Sequence, residues 1–387
     1  MRRSVNTVDL TKAFIESKIS QETIMSKYLN IPIDDIKNCI TRGHLMHSVF
    51  RDDDTNKSMG FAYNKKGRLK VRDFGGFGFF EDVYGTVAYV LSLAYNRHID
   101  CNNKQDFYFI LKHIAKTFSK IIDGVESDVQ LDDDIKLGVS KAKNHQAIIE
   151  IVPRSWNNAD KRYWNAMGVG LDYLNTHFVY PVDNYYIDRG VNSKPKYYYD
   201  QKDPCYAYLL GQNRQGILQM KLYFPLRDKH KGIKFITNCY VLEGIPNLEL
   251  YNYDYIIITK SSKDRLAIGN ALYHNSFYGG TETRLNIGVV NLPSENHQLT
   301  QKEYDYLINR LNDNGKLISF LDFDRTGRNG AKYLNEMYNI PYIFITRGEF
   351  GLHNYNVKDF SELYIYYGKD KINEFIKNTL EYVRDKY

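Results

Sequence analysis

The chain has 387 residues, more than one ordinary domain needs, and this length predicts two or three domains. Apolar residues make up 43% and charged residues 25%, a globular composition that excludes a disordered chain. The 52 Lys and Arg residues outnumber the 46 Asp and Glu residues by six. This mildly basic balance is compatible with a polyanionic partner but does not demonstrate one.

Two classes of protein are excluded by what the sequence lacks. No apolar run approaches the roughly 20 residues of a membrane helix, and the polar start predicts no signal peptide. The four cysteines, at positions 39, 101, 205 and 239, are far apart and form no Cys-x-x-Cys. Their spacing excludes both a disulfide framework and a cysteine zinc ribbon. We therefore expect a soluble protein of a reducing compartment, with no membrane partner.

The first part of the chain predicts helices followed by a small β module. Apolar spacing predicts helices over residues 8–18 and 20–29, with Ser20 as an N-cap. Asn64-Lys-Lys-Gly67 between two alternating runs indicates a hairpin, and a helix is expected over 81–93. The acidic stretch at 123–134 indicates a linker.

The last two thirds predict short strands and then alternating strands and helices. Such alternation is typical of a parallel sheet covered on its faces. Helix 154–164 should precede strands at 206–210, 218–224 and 233–238. After them we expect strand 255–259, helix 263–273, strand 288–291, helix 302–311, strand 316–321, helix 327–338 and strand 342–345.

The strongest chemical signal is Leu321-Asp322-Phe323-Asp324-Arg325-Thr326-Gly327. Two aspartates follow an apolar strand, and alternation places both side chains on one side of the carboxyl edge of the sheet. Two such carboxylates favour a hard cation, Mg²⁺ or Mn²⁺. The alternative is a solvated turn, since Asp is common in turns. The preceding strand and the helix that follows at Gly327 favour the metal site.

Two further segments show related patterns. Thr259-Lys260-Ser261-Ser262-Lys263-Asp264 is another junction of strand and helix, where the helix N-terminus and two lysines favour phosphate. An ordinary surface turn is the alternative. Residues 351–363 contain Lys358-Asp359-Phe360-Ser361-Glu362, which adds carboxylates after a later strand. Here the alternative is simply an N-cap region.

These three motifs, in this order, resemble a TOPRIM domain, in particular that of the DnaG-type primases of bacteriophages. The resemblance implies that Asp322 and Asp324 hold metal, that Asp264 is catalytic, and that Asp359 completes the metal set. One position departs from the family pattern, because Lys260 stands where the family usually has Glu. Lys260 is then expected to be catalytic and, with Lys263, to contact nucleotide phosphates.

The resemblance extends towards the N-terminus. Residues 221–238 resemble the basic strands of the primase core, which implies nucleotide binding by Lys221 and Lys234 and DNA binding by Arg227 and Lys229. Residues 47–79 resemble the primase zinc-ribbon module without its metal ligands, so no structural zinc is expected. Packing of Phe61, Tyr63, Val71 and Phe74 should hold this module together. Its basic side chains are then available for DNA: Arg51, Lys57, Lys70 and Arg72.

The sequence thus predicts a multidomain protein of the α+β and α/β classes, with N-terminal helices and a small β module before a mixed α/β primase core. We expect an N-terminal module (1–120), a linker (121–147), a basic subdomain (148–250), and a TOPRIM domain ending in a helix (251–387). The implied function is a cytoplasmic DNA primase that makes RNA primers on single-stranded DNA from ribonucleoside triphosphates with Mg²⁺ or Mn²⁺. A replicative helicase would be a separate chain, because no phosphate-loop motif is present. The alternatives are a TOPRIM nuclease and a non-catalytic DNA-binding replication protein.

Overall fold

A computed structural model describes residues 10–51, 57–124, 132–190, 193–228, 232–274, 284–294, 297–342 and 357–386. The chain forms two compact units. The first comprises residues 1–150, 186–196 and 229–238, and the second comprises residues 151–185, 197–228 and 239–387. Each unit combines helices with sheet, so the predicted mixed α/β class is confirmed.

Helices dominate the first 150 residues. In order they contain α1 (Lys12–Lys18), α2 (Gln21–Leu29), α3 (Ile33–Arg42), β1 (Met59–Tyr63), β2 (Leu69–Asp73), β3 (Phe80–Asp82), α4 (Val83–Tyr95), α5 (Lys104–Thr117), α6 (Ser119–Ile122), α7 (Asp133–Asn144) and the start of β4 (Ile149–Pro153). None of the helices in the described ranges is long and apolar enough to cross a membrane.

Strands are more frequent in the middle of the chain, and strands alternate with helices after residue 252. The elements there are α8 (Asn158–Asn165), α9 (Leu171–Thr176), β5 (Val179–Ile187), β6 (Tyr197–Tyr198), β7 (Cys205–Gln212), β8 (Leu218–Tyr223), β9 (Phe235–Thr237), α10 (Ile245–Leu248), β10 (Tyr253–Thr259), α11 (Ser262–His274), β11 (Ile287–Asn291), α12 (Gln301–Ile308), β12 (Leu311–Phe320), α13 (Arg325–Tyr338) and α14 (Phe360–Lys386).

Local signals placed the first elements correctly. The Ser20 hydroxyl accepts a hydrogen bond from the backbone N–H of Thr23 and caps α2, as its position in the sequence predicted. Strands β1 and β2 pair antiparallel around the predicted hairpin turn. The turn is held by the Asn64 side chain, which accepts from two backbone N–H groups, and by Gly67 at φ +69°.

Part of the predicted linker is helical in the structure. Residues 133–144 form helix α7, whose Ile135 and Ala142 are buried in the core of the first unit. Gly138 lets α7 approach α4 closely, because a Cβ at this position would lie 2.3 Å from the carbonyl oxygen of Val90. The acidic run supplies the N-cap and first turn of α7, where the helix dipole favours negative charge. Acidic residues here mark the start of a helix.

The small β module is held by a partly different set of side chains from those predicted. Phe61 and Val71 are buried, as expected. Tyr63 and Phe74 are 42% and 46% exposed, because each lies where its strand leaves the core. Their places in the core are taken by aromatic residues outside β1 and β2: the rings of Phe50 and Phe79 are buried with centroids 4.4 Å apart.

Two sheets organise the second unit. Strands β5, β7 and β8 pair antiparallel, with β6 beside β5. Strands β11, β10 and β12 form a parallel sheet in which β10 is central, with Ile257 opposite both Val289 and Ile318. Burial on both faces explains the uninterrupted apolar run in β10.

The strand expected at 342–345 appears only as a parallel bridge between Tyr342 and Ser319, since residues 343–345 lie outside the described ranges.

Candidate active site at the carboxyl edge of the parallel sheet

The parallel sheet brings the first two sequence motifs to one edge. Thr259, the last residue of β10, lies opposite Phe320, the last residue of β12. Lys260 follows the first of these strands and Asp322 the second, so both occupy the carboxyl edge of neighbouring parallel strands. This is the edge at which open α/β sheets place their ligands.

Asp322 and Lys260 form an ion pair at this edge. The Nζ atom of Lys260 lies 3.3 Å from Oδ2 of Asp322, and the two side chains are 5% and 22% exposed. Burial raises the pKa of the Asp322 carboxyl, while the Lys260 ammonium opposes this rise. Lys260 is thus directed at a carboxylate of the protein, and its ammonium is more deeply buried than its partner.

Asp324 begins the helix that follows. Its Oδ1 accepts a hydrogen bond of 2.8 Å from the backbone N–H of Gly327 and caps α13, and its side chain is exposed. A Cβ at Gly327 would lie only 1.9 Å from the carbonyl oxygen of Asp322. The first turn of α13 therefore requires glycine at position 327, where it passes close to the backbone of Asp322.

The third motif joins the same edge. The backbone N–H of Phe323 donates to the carbonyl oxygen of Lys358 at 2.7 Å. Asp359 accepts from Lys263 Nζ at 3.0 Å through Oδ2, and from the backbone N–H of Glu362 through Oδ1. Burial lowers the pKa of Lys263, but the Asp264 and Asp359 carboxylates outweigh this effect and raise it overall. Both oxygens of Asp359 are thus already engaged by the chain.

Asp264 links the first motif to the third from inside the protein. It is buried, and its Oδ1 accepts hydrogen bonds from the backbone N–H and the hydroxyl of Ser361, while the hydroxyl of Ser261 donates to Oδ2. Asp264 therefore acts by positioning α14 and, with it, Asp359. Sequence reasoning gave Ser361 no role and missed this contact, for which the Lys-Asp-Phe-Ser-Glu motif was the available signal.

Asp264 should make the stability of the second unit depend on pH. Burial, reinforced by the Asp359 carboxylate, raises the pKa of Asp264 from 3.8 to about 7. The folded state then retains a proton that the unfolded chain loses, so this group destabilises the fold progressively as pH rises from about 4 to about 7. Asp264→Asn cannot titrate. We expect the free energy of unfolding of this variant, minus that of the parent at the same pH, to be higher at pH 8 than at pH 5.

Urea denaturation at both pH values, followed by tryptophan fluorescence, measures this difference. Both tryptophans, Trp156 and Trp164, belong to the second unit and report on it. Asp172→Asn, a change at an exposed carboxylate, is the control and should leave the pH dependence unchanged. An Asp264→Asn variant whose stability follows that of the parent at both pH values would contradict the assignment.

The floor of the edge is mainly apolar. A small pocket beneath the two motifs is lined by the following residues: Thr259, Asp264, Phe320, Leu321, Asp322, Phe323, Phe360 and Phe375. Aromatic rings on this floor lower the local dielectric response, which strengthens the interactions between the charged groups above it.

The residues predicted to bind nucleotide lie in different environments. Lys221 is buried on β8 and its Nζ lies 2.6 Å from Oε1 of Glu243, so its charge is balanced inside the second unit. Glu243 also accepts from the hydroxyl of Ser262 at the start of α11. Lys234 is exposed and belongs to the first unit. Sequence reasoning missed Glu243, which no motif in the sequence singled out.

Arg51, predicted to bind DNA, is engaged within the small β module. Its guanidinium lies 3.2 Å from Oδ1 of Asp73 and donates to the Ser58 hydroxyl. Asp73 is 2% exposed and also accepts from Ser48. A Cβ at Gly75 would lie 2.4 Å from the guanidinium, so a larger residue there would displace the Arg51 side chain. This network ties the segment before β1 to the end of β2, and Arg51 contributes to folding there.

The remaining basic residues of this module are closer to solvent. Lys57 is exposed. Lys70 and Arg72 on β2 both approach the ring of Phe80, which is 53% exposed, and Arg72 also lies 4.8 Å from the ring centroid of Phe74. Cations beside exposed aromatic rings are a typical surface for single-stranded nucleic acid.

Of the last two predicted DNA contacts, Arg227 lies on the loop after β8. Arg227 forms a bidentate pair with Asp203, in which Nε donates to Oδ1 at 3.2 Å and Nη2 donates to Oδ2 at 2.7 Å. Its guanidinium stacks on Phe224 at 3.4 Å from the ring centroid. Lys229 lies outside the described residues.

The first unit also contains a group of potential metal ligands that sequence reasoning missed. Ligand atoms of His113, Asp132 and Asp134 all lie within 4.8 Å of one another, closer than any other such group of three in the described ranges. All three side chains have protein partners: Tyr28 contacts Nδ1 of His113, Tyr95 donates to Asp134, and Lys116 pairs with Asp132. These contacts join α2 to α5 and tie α4 and α5 to the start of α7, so the cluster has a part in packing.

At the sheet edge, the donor set fits a hard divalent cation held by Asp322 and Asp324. The carboxylate of Asp322 has no partner besides Lys260 among the described residues, and Asp324 uses one oxygen for its cap. Carboxylate oxygens beside a solvent-exposed edge suit Mg²⁺ or Mn²⁺, which retain several waters. Asp359, also predicted as a ligand, would need to release Lys263 to bind metal.

No protein-family model and no curated protein matches the chain. Among solved structures, the Aquifex aeolicus primase (zinc-binding and RNA polymerase domains) is similar over 93% of this chain and 86% of its own, with 14% identity and a TM-score of 0.38. A chain of the complex between bacteriophage T7 lagging-strand DNA polymerase and primase domains is similar over 58% and 96%, with 17% identity and a TM-score of 0.34. The RNA polymerase domain of Mycobacterium tuberculosis primase DnaG is similar over 74% and 81%, with 11% identity and a TM-score of 0.32. Likeness at this level assigns no activity to the residues of this chain.

Proposed function

We propose that this protein is a DNA primase of the bacteriophage DnaG type, with a TOPRIM domain that makes short RNA primers on single-stranded DNA from ribonucleoside triphosphates. The observation that carries the proposal is the carboxyl edge of the parallel sheet. Three motifs separated by up to about a hundred residues converge there, and they supply Asp322, Asp324 and the pair of Lys263 with Asp359.

The roles of these residues follow from their contacts. Asp322 and Asp324 hold the divalent ion, which when bound neutralises charge on the reacting phosphates. Asp359 fixes the ammonium of Lys263 near the same edge, where it attracts the triphosphate. Asp264, buried behind them, keeps α14 and Asp359 in place through Ser361. The apolar floor excludes water from the back of the site.

In this proposal nucleotide and template are bound by two exposed lysines, Lys57 and Lys234, and by two half-buried cations, Lys70 and Arg72. Lys70 also lies 3.8 Å from Oδ2 of Asp82. Lys234, Lys57, Lys70 and Arg72 carry the charge that attracts the phosphate backbone, and the ring of Phe80 offers a stacking surface for a base. Three other predicted binding residues have a structural role instead, because each is paired with a carboxylate of its own unit: Lys221, Arg51 and Arg227. These ion pairs stabilise the fold around the proposed binding surfaces.

One observation favours a second candidate, a non-catalytic protein that binds single-stranded DNA. The ion pair of Lys260 with Asp322 partly neutralises a carboxylate that a metal would need. In a protein that only binds DNA, however, two carboxylates at this edge would repel the phosphate backbone. We therefore favour the primase. A TOPRIM nuclease would share the acidic edge but would cleave DNA.

Incubation with single-stranded DNA, labelled ribonucleotides and Mn²⁺ tests the proposal. Short labelled RNA is expected, formed by the parent protein and absent without template. DNA fragments in place of RNA would indicate the nuclease. DNA binding without either product, under conditions where Mn²⁺ binding is demonstrated, would indicate the non-catalytic protein. Since a replicative helicase would be a separate chain, the assay should first be run without one.

A further inference from the structure

The ion pair of Lys260 with Asp322 places a fixed positive charge inside the proposed metal site. Lys260 is 5% exposed and its Nζ lies 3.3 Å from Oδ2 of Asp322, which is 22% exposed, so the lysine side chain is the better shielded from solvent of the two. An ammonium this deeply buried is stable only beside a negative charge. Asp322 supplies that charge from the segment that follows the neighbouring strand β12.

The charges at this edge show how many metal ions it can accept. Three carboxylates and two ammonium groups leave a net charge of −1, or −2 when the buried Asp264 is also ionised, which one divalent ion balances. With Glu at position 260 the net charge would be −3 or −4, which calls for a second divalent ion. The charged groups are Asp264, Asp322, Asp324, Asp359, Lys260 and Lys263.

The carboxylate oxygens that are free to bind metal also indicate a single ion. Asp359 gives both its oxygens to Lys263 and Glu362, and Asp264 is buried behind the edge with its oxygens accepting from Ser361 and Ser261. The carboxylates that remain for a metal are those of Asp322 and Asp324, each with one oxygen already engaged by the chain. Two carboxylates of this kind match the one or two that hold a single Mg²⁺ or Mn²⁺.

We propose that Lys260 is a built-in cation that takes the place of one metal ion, so that this edge binds a single divalent ion between Asp322 and Asp324. The inference rests on the proposed function, since it concerns the metal site of that activity. In this proposal Lys260 is a positioning residue that holds Asp322 in place. The sequence had instead predicted that Lys260 contacts phosphate.

Counting bound Mn²⁺ on the full chain tests this inference without an activity assay. Isothermal titration calorimetry, with Mn²⁺ electron paramagnetic resonance to measure the free ion, should give one ion per chain for the parent protein. Lys260→Glu should bind two. Lys260→Met, in which the side chain keeps its length but lacks the charge, should bind its ion at least about tenfold more tightly, because repulsion from the ammonium is lost.

Two controls make the result specific. Lys302→Met removes an exposed lysine charge from α12 in the same unit and should leave both the number and the affinity unchanged. Asp322→Asn should abolish or strongly weaken binding. The inference would be overturned if the parent bound two ions or none. It would also be overturned if both Lys260 variants bound one ion with the affinity of the parent. Absence of RNA synthesis with one Mn²⁺ bound would instead count against the proposed function and leave the inference standing.

Discussion

Asp322→Asn is expected to reduce RNA primer synthesis by at least about a thousandfold, which corresponds to about 4 kcal/mol of transition-state stabilisation. An amide keeps the shape of the carboxylate but lacks the charge that holds a divalent ion. Initial rates of labelled ribonucleotide incorporation on single-stranded DNA measure the effect. Asp313→Asn, at an exposed position on β12 away from the edge, should keep the rate of the parent protein.

The same change should also affect stability, because it leaves the buried Lys260 ammonium without its anionic partner. We expect a loss of roughly 2 kcal/mol, less than the 3–5 kcal/mol of a fully buried pair, since Asp322 is 22% exposed. The double variant Lys260→Met with Asp322→Asn separates the two effects. It should recover most of the stability and none of the activity. Primer synthesis by either variant at the parent rate would rule out Asp322 as the metal-holding residue.

Asp160→Ala is expected to destabilise the second unit by about 3–5 kcal/mol, the largest stability effect that we predict. Asp160 is 1% exposed and accepts two hydrogen bonds from Arg154, at 2.6 and 2.9 Å. It also accepts from the hydroxyl of Tyr206 and the backbone N–H of Asn157. Alanine would leave these donors without an acceptor and the Arg154 guanidinium without its counter-charge.

Urea denaturation followed by the fluorescence of Trp156 and Trp164 measures this loss, because both rings lie close in sequence to Asp160 on the same unit. Asp172→Ala, at an exposed position in the first turn of α9, should change the unfolding free energy by less than about 1 kcal/mol. The double variant Arg154→Leu with Asp160→Leu should lose less than Asp160→Ala, since no buried charge remains unpaired. An Asp160→Ala protein as stable as the control would show that the pair contributes little.

Much of the secondary structure could be predicted from the sequence, because its signals are local. The N-cap at Ser20, the turn at Gly67 and the alternation of strands and helices after residue 252 each depend on neighbouring residues along the chain. The parallel sheet followed from that alternation, and the position of Asp322 at its carboxyl edge followed from the sheet. The acidic run before α7 shows the limit, since the same residues suit a linker and a helix start.

The sequence by itself determined which residues can carry charge to the sheet edge, since strand ends and helix starts are encoded locally. Only the tertiary structure decided which of those charges are already paired. Lys260 with Asp322, Lys221 with Glu243 and Arg51 with Asp73 each join residues at least 20 positions apart. Partners at such separations are chosen by strand register and core packing, which a local pattern does not specify. A lysine that looks ready for phosphate in the sequence can therefore be the internal partner of a carboxylate in the fold.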